Sequence, residues 1–358
     1  MATVSMPHET AGVIVGVDTH ADVHVAAALD PLGRALGRLE IRTTPAGYSR
    51  LLRWARGFSP TAIFGVEGTG SYGAGLARYL TAAGCTVIDI NRPDRRDRRR
   101  AQGKSDPLDA ESAARAVLGG KAQCIPKADH AQVGMIRSLR VARRSAVKMR
   151  TLAVNQMIAL VVTAPDTLRD RLRGLPAADL VGVCAALRPG AVTTPTAAVK
   201  TALRCLAIRH QNLTSELEYL DAELSRLTVE AAPALRAIQG IGPDVAGALL
   251  VAAGDNPQRM RSEAAFASLC GVSPVPASSG KTNRHRLNHG GDRVANNALW
   301  RIVMVRLTCD PRTKKYMARR TTEGLSRREI IRCLKRYVAR EVYSALVALA
   351  PTHLPTAA

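Results

Sequence analysis

Four carboxylates stand where a metal-assisted attack on phosphate would need them. Asp18 lies in the apolar run Val13-Ile14-Val15-Gly16-Val17-Asp18-Thr19-His20, and Glu67 closes a second run, Ala62-Ile63-Phe64-Gly65-Val66-Glu67-Gly68. Asp106 and Asp109 are three apart in Lys104-Ser105-Asp106-Pro107-Leu108-Asp109-Ala110-Glu111. A short run rich in valine and isoleucine, bounded by glycine, reads as a buried strand. An acid at the exposed end of such a strand is held rigidly and reaches a cleft. Asp106 and Asp109 open a helix and share one face of its first turn. Two strand-end acids and a helical pair can grip two divalent cations, which activate both sides of an in-line displacement at phosphorus. Any one of these acids alone reads as a solvated cap or turn residue. All four in this order, in a strongly basic chain, read as a site.

The elements that must position them follow from the local patterns. Val13 to Val17, Val23 to Leu29 and Leu36 to Arg42 are predicted as three consecutive strands, with a turn at Asp30-Pro31-Leu32-Gly33 between the second and third. A helix is expected from Tyr48 to Arg56, a strand over Ala62 to Val66, a helix from Gly75 to Ala83, a strand from Cys85 to Ile90, and then the helix of the acidic pair, Pro107 to Leu118. A three-strand meander followed by alternating helices and strands is the order of a ribonuclease H-like fold, which carries its acids at adjacent strand ends. Residues 12–120 are therefore expected to form an α/β catalytic domain.

From 129 to 230 the character changes. Val199, Leu203, Leu206, His210, Leu213, Leu217, Leu220, Leu224 and Leu227 alternate steps of four and three, the pattern of a coiled-coil seam. A more basic helix is expected upstream, over about 130 to 162, and a stretch containing proline and glycine, Pro165 to Pro195, lies between. Together they predict a long helical arm, with His210 a packing or register residue. Two helices inside an ordinary bundle are the plainer alternative. Residues 233–350 are expected to form a third, mostly helical domain. Within it, Leu235 to Leu250 passes through Gly240-Ile241-Gly242-Pro243 and reads as helix, tight turn, helix, resembling a helix-hairpin-helix motif. Its glycines, Gly240 and Gly242, would let backbone N–H groups at a helix start meet a DNA phosphate.

The formal net charge of +22 over 358 residues points to a polyanionic partner, with nucleic acid ahead of an anionic membrane surface. Aromatics make up 3% of the chain, too few for base stacking to be the main mode of binding. No uninterrupted apolar stretch is long enough to span a membrane, and Met1 to Thr10 lacks the apolar core of a signal peptide. The seven cysteines show no CxxC spacing, so reduced thiols in a cytoplasmic protein are expected rather than a zinc site. The cluster Arg92, Arg95, Arg96, Arg98, Arg99, Arg100 and Lys104 directly precedes Asp106 and is expected to contact phosphate near the acids. Gly68-Thr69-Gly70-Ser71-Tyr72-Gly73-Ala74-Gly75 lacks the Gly-Lys-Ser/Thr ending of a P-loop and reads as a turn past the metal site. Ser278-Ser279-Gly280-Lys281 lies in a polar, basic segment that continues through Arg284, His285, Arg286 and His289. A serine there could attack a phosphodiester only with a base or Lewis acid beside it, and spacing alone favours an ordinary loop.

Gly16-Val17-Asp18, Val66-Glu67-Gly68-Thr69-Gly70, Lys104-Ser105-Asp106-Pro107-Leu108-Asp109-Ala110 and, far downstream, Gly240-Ile241-Gly242-Pro243 with Ser279-Gly280 resemble the DEDD transposases of the IS-one-ten family of insertion sequences, relatives of the Piv-type DNA invertases. The resemblance covers about residues 12 to 118 and 235 to 305. It implies a RuvC-like domain in which Asp18, Glu67, Asp106 and Asp109 bind Mg2+. It also implies a C-terminal transposase domain whose serine, Ser279 or the adjacent Ser278, attacks DNA, with Lys281, Arg284 and Arg286 among the contacts. The family further implies a structured noncoding bridge RNA that pairs with donor and target DNA, and strand exchange by a homo-oligomer, a dimer or tetramer. The sequence departs from the family after Gly291-Asp292-Arg293, where Val294-Ala295-Asn296-Asn297 replaces a more basic helix. Two other functions fit parts of the pattern: a RuvC-like metal-dependent junction endonuclease that cuts with water, and an actin-like ATPase.

Overall fold

The computed structural model describes residues 12–90, 106–128, 131–257, 260–278 and 285–348. The chain divides into two compact units, residues 1–127 and 128–358.

The first unit is built on a five-stranded sheet. Its strands are β1 (Val13–Thr19), β2 (Val23–Leu29), β3 (Ala35–Arg42), β4 (Ala62–Glu67) and β5 (Thr86–Ile90), in the spatial order β3-β2-β1-β4-β5. β2 runs antiparallel to both β1 and β3, whereas β4 and β5 run parallel to β1 and to each other. β1 is buried along its whole length, as a central strand covered on both faces must be, and β3 alternates towards exposure as an edge strand does. Helices α1 (Pro45–Arg56) and α2 (Ala74–Ala82) cover one face, where Val15, Val17, Phe64 and Val66 pack with Leu51, Leu76 and Leu80. The start of α1 is set by Thr44, whose side chain caps Gly47 N–H, and by Pro45 at a position where no donor is needed. Helix α3 (Asp106–Leu118) covers the other face through Ala113, Ala114 and Val117, packed on Ile14, Ile88 and Ile90.

Two glycines let α3 lie unusually close. A Cβ on Gly16 would stand 2.0 Å from the Ala110 carbonyl oxygen and 2.3 Å from Ala114 N, both backbone atoms of α3. One on Gly65 would stand 2.7 Å from Val117 Cγ2. The helix backbone therefore rests directly on β1 and β4, and its first turn comes level with their carboxyl ends.

Among its described residues the second unit is helical apart from one short strand pair. Helix α4 (Gln132–Val162) and helix α7 (Pro195–Ala231) pack side by side over most of their length. At one end Val133 and Ile136 share a core with Leu224 and Leu227; at the other Met157 and Val161 share one with Leu203 and Ala207. The pair is thus an antiparallel hairpin of helices about 46 and 55 Å long. On the expected seam Leu203, Leu217, Leu220, Leu224 and Leu227 are buried, while Val199, Leu206, His210 and Leu213 are half-buried. The stretch from Pro165 to Pro195 contains two short helices, α5 (Asp166–Leu172) and α6 (Ala177–Ala185), which close the distal end of the hairpin.

At the other end of the hairpin lies the main core, around Leu235, Leu249, Phe266, Leu299, Ile302 and Val338. It joins α8 (Pro233–Arg236), α9 (Pro243–Ala253), α10 (Glu263–Leu269), α11 (Arg293–Cys309), α12 (Pro311–Thr322) and α13 (Arg327–Val347). Strands β6 (Val275–Pro276) and β7 (His285–Arg286) form an antiparallel pair between α10 and α11. No described helix is long and apolar enough to cross a membrane. All seven cysteines are free thiols, and burial pushes that of Cys270 up to about 12.

Candidate active site

Asp18 is the penultimate residue of β1 and Glu67 the last of β4. The parallel register pairs Val17 with Val66, so the next residues, Asp18 and Glu67, stand side by side on the face that α3 covers. The two strand ends are tied together, because Thr19 Oγ1 donates to the Glu67 carbonyl oxygen at 2.8 Å. Directly after Glu67, Gly68 turns the chain with a φ of 64°, and its carbonyl accepts from the N–H groups of Ser71 and Gly73. Those two donors are spent inside the turn, so the glycine-rich segment does not offer them as a phosphate cradle.

The first turn of α3 brings Asp106 to the same place and Asp109 near enough for its charge to act on Asp18, whereas neither Asp109 nor Glu67 is part of the group of described residues whose ligand atoms come within reach of one ion. Asp18 is buried, with 7% of its surface exposed. His20 Nε2 lies 3.2 Å from Asp18 Oδ2 and 3.5 Å from Asp106 Oδ1. One ligand atom from each of Asp18, His20 and Asp106 fits within 4.8 Å, close enough to share an ion. Burial pushes the Asp18 carboxyl above its ordinary value; His20 opposes that shift, and the charges of Asp109 and Asp106 add to it. A carboxylate held charged in such surroundings is one that a cation would stabilise.

His20 carries no signal in the sequence beyond lying two residues past Asp18, where strand alternation returns a side chain to the same face. Its backbone N–H donates at 3.4 Å to Nδ1 of His24, a fully buried ring stacked on Tyr48. That contact fixes the turn from which His20 reaches the acids.

In the second unit, β6 and β7 hold the two ends of segment 277–284 in register, pairing Val275 with Arg286 and Pro276 with His285. Ser278 and Arg286 are exposed. Ser279, Lys281 and Arg284 lie outside the described residues, as do Arg92, Arg95, Arg96, Arg98, Arg99, Arg100 and Lys104 of the basic cluster. The loop entering β6 is anchored from below. Asn296 Nδ2 donates to the carbonyls of Cys270 and Gly271, and its Oδ1 accepts from the buried Lys335 at 2.9 Å. Desolvation, reinforced by the charge of Arg332, lowers the Lys335 pKa.

Gly240 turns with a φ of 89° against Ile302 of α11, and Gly242 stands in open space before the start of α9. The first turn of α9 carries Asp244, which is gripped by Arg140 and Arg143 of α4 and Arg301 of α11. Burial alone would raise the Asp244 pKa; the Arg301 hydrogen bond and the charges of Arg140 and Arg143 outweigh it and hold the carboxyl below its usual range.

Two family models match the chain. A transposase model of the IS110 DEDD type covers residues 15–164, which include all four acids, and a model of the transposase IS116/IS110/IS902 family covers residues 232–318, which include Gly240, Gly242 and Ser279. A comparison with curated proteins found no match.

Proposed function

Because the chain belongs to the IS110 family of transposases, we propose that it moves an insertion sequence as a site-specific DNA recombinase, with four N-terminal acids holding divalent cations and Ser279 joining transiently to DNA. The observation that carries this reading is the meeting of Asp18 and Asp106, one from a strand end and one from a helix start, around a shared point. The mixed five-stranded sheet, with acids at adjacent strand ends, suits a ribonuclease H-like fold of the RuvC type. The α4–α7 hairpin suits the coiled-coil arm, and the Gly240-Ile241-Gly242 turn suits a helix-hairpin-helix-like contact.

The donors fit a hard cation such as Mg2+: Asp18, Glu67, Asp106 and Asp109 are all carboxylates, the oxygen ligands that such ions take. When bound, a pair of these ions would polarise the scissile phosphate and ease loss of the serine proton. The chain's own residues do the rest. Ser279 Oγ attacks phosphorus, a serine–phosphate ester forms, and one phosphodiester P–O bond breaks to leave a DNA hydroxyl. Attack by an incoming DNA hydroxyl reverses the step and frees the serine. The ester conserves the bond energy, so no nucleotide hydrolysis is required. Strand exchange needs at least two sites, hence a dimer or tetramer. A structured guide RNA pairing with donor and target would supply sequence choice. Arg95, Arg96, Arg98, Arg99, Arg100, Lys104, Gly240, Gly242, Lys281, Arg284 and Arg286 are assigned to nucleic-acid backbone contacts.

The test is to trap the reaction on labelled DNA and locate the joined peptide by mass spectrometry. The adduct should map to Ser279, persist in Ser278→Ala and vanish in Ser279→Ala. If Ser279→Ala cuts DNA normally, the acids act with water, as in a junction endonuclease, and the covalent reading falls.

A further inference from the structure

One cleft of the second unit enters the mechanism above only through Arg286. It has a volume of about 940 Å3 and lies between the β6–β7 pair, the loop before it, and helices α12 and α13. Six arginines, one lysine and one glutamate line it. The glutamate, Glu329, is committed to the capping box of α13, where its carboxylate accepts from the N–H and hydroxyl of Ser326. A pocket of this size usually presents apolar walls to a small ligand; this one presents cations.

Two tyrosines interleave with the arginines. Arg319 Cζ lies 5.4 Å from the Tyr316 ring centre and Arg340 Cζ lies 5.6 Å from that of Tyr337, while the two rings meet edge to face at 5.6 Å. Tyr337 is still 48% exposed. Arg340 is held from behind by Glu263, and Arg319 by Glu323. Three of the lining cations, the exposed Arg286 and Arg332 and the buried Lys335, have no ion-pair partner among the described residues, and Lys335 donates to Asn296. The result is a wall with fixed cations, two exposed cations free of ion pairs and a half-exposed tyrosine ring.

We propose that this cleft binds one unpaired strand of DNA, with phosphates on Arg286 and Arg332 and a base on Tyr337. The rings argue for a single strand, because duplex bases keep their faces stacked inside the helix and leave nothing for Tyr337 to cover. The place in the fold argues for DNA. One wall is the strand pair whose connecting segment contains Ser279, so the assignment rests on the recombinase reading, in which cutting exposes an unpaired end near that serine.

The experiment uses the full chain with a short single-stranded DNA carrying 5-iodouracil, read by photocrosslinking with peptide mapping and by fluorescence anisotropy. Crosslinks are expected at Tyr337 or Tyr316. Tyr337→Leu should weaken single-strand binding by about 5- to 150-fold, the range of one lost base stack, while Tyr337→Phe binds as the unmodified chain does. Replacing Arg286 and Arg332 together by glutamine should lower the salt slope of single-strand binding by about 1.4. An unchanged melting temperature in each variant excludes misfolding. Crosslinks confined to other segments, or Tyr337→Leu binding normally, overturn the proposal. A Tyr337-dependent preference for RNA over DNA of the same sequence overturns its DNA assignment. Ser279→Ala should bind the strand normally. A serine adduct with no Tyr337 dependence sinks only the cleft, and Tyr337 dependence with no adduct sinks only the covalent mechanism.

Discussion

At Asp18 the protein holds an acid where an acid alone is costly. The carboxyl is buried, its neighbours Asp106 and Asp109 carry the same charge, and His20 offsets part of the repulsion. A site that raises a carboxyl in this way is poised to be relieved by cations. Asp18→Asn should therefore abolish strand exchange, a loss of at least about a hundredfold as expected for removing a metal ligand. It should leave nucleic-acid affinity within about twofold and raise thermal stability slightly, because a desolvated charge is gone. Parallel recombination, binding and melting measurements check this; a joint loss of binding and activity would make Asp18 structural. Asp244 behaves in the opposite sense. Its folded pKa lies below that of the unfolded chain, so its contribution is present above the ordinary carboxylate value near pH 4 and is lost as pH falls through the depressed value. Asp244→Asn leaves three arginines facing an uncharged amide and should cost about 3–5 kcal/mol at neutral pH. The cost should shrink below about pH 4. Urea melts across pH read both parts, and a cost that does not change with pH would refute the charge argument.

At the scale of elements, the close seat of α3 on β1 and β4 delivers Asp106 to Asp18 and brings the charge of Asp109 to bear on it. Gly16→Ala sets a methyl against two backbone atoms of α3, neither of which can turn aside. It should destabilise the N-terminal unit by about 1–3 kcal/mol and depress strand exchange while every acid remains. Gly182→Ala, in open space on α6, should be neutral or stabilising by up to about 1 kcal/mol. Thermal melts with activity assays check the pair; an active Gly16→Ala would mean that α3 need not sit so low. The strand order around Asp18 was readable because Gly-bounded apolar runs and Pro-led helices repeat a short-range code, and the hairpin was readable from the Leu203 to Leu227 spacing. Other features depend on partners far away in the chain. Nothing near Gly16 or Gly65 says that a helix backbone will press on them, and nothing near Asp244 announces Arg140 and Arg301. Helix α12 has little signature in the sequence, because Pro311–Thr322 is mostly polar and buries only Thr313. Helices α5 and α6 carry no clear periodicity because each is shorter than the window of about 11 residues over which it can be read and is preceded by proline.

For the molecule as a whole, the charge of +22 must be spent on phosphates if nucleic acid is the partner. Binding to duplex DNA should then fall steeply with salt, with a log–log slope of about −0.9 for each phosphate neutralised. The basic residues fall into separable sets. Those from Arg95 to Lys104 directly precede Asp106 in the first unit, and those of the cleft belong to the second. If the first set tracks a duplex backbone, replacing Arg95, Arg96 and Arg99 by glutamine should reduce the duplex slope by about 2.7 and weaken all duplex sequences alike, since phosphate contacts do not read bases. Single-strand binding through the cleft should keep its slope. Titrations of both DNA forms over a range of salt concentrations decide the matter. A duplex slope left unchanged by the triple substitution would remove the phosphate role of that cluster, and a fall in both slopes together would mean that one continuous surface serves both strands.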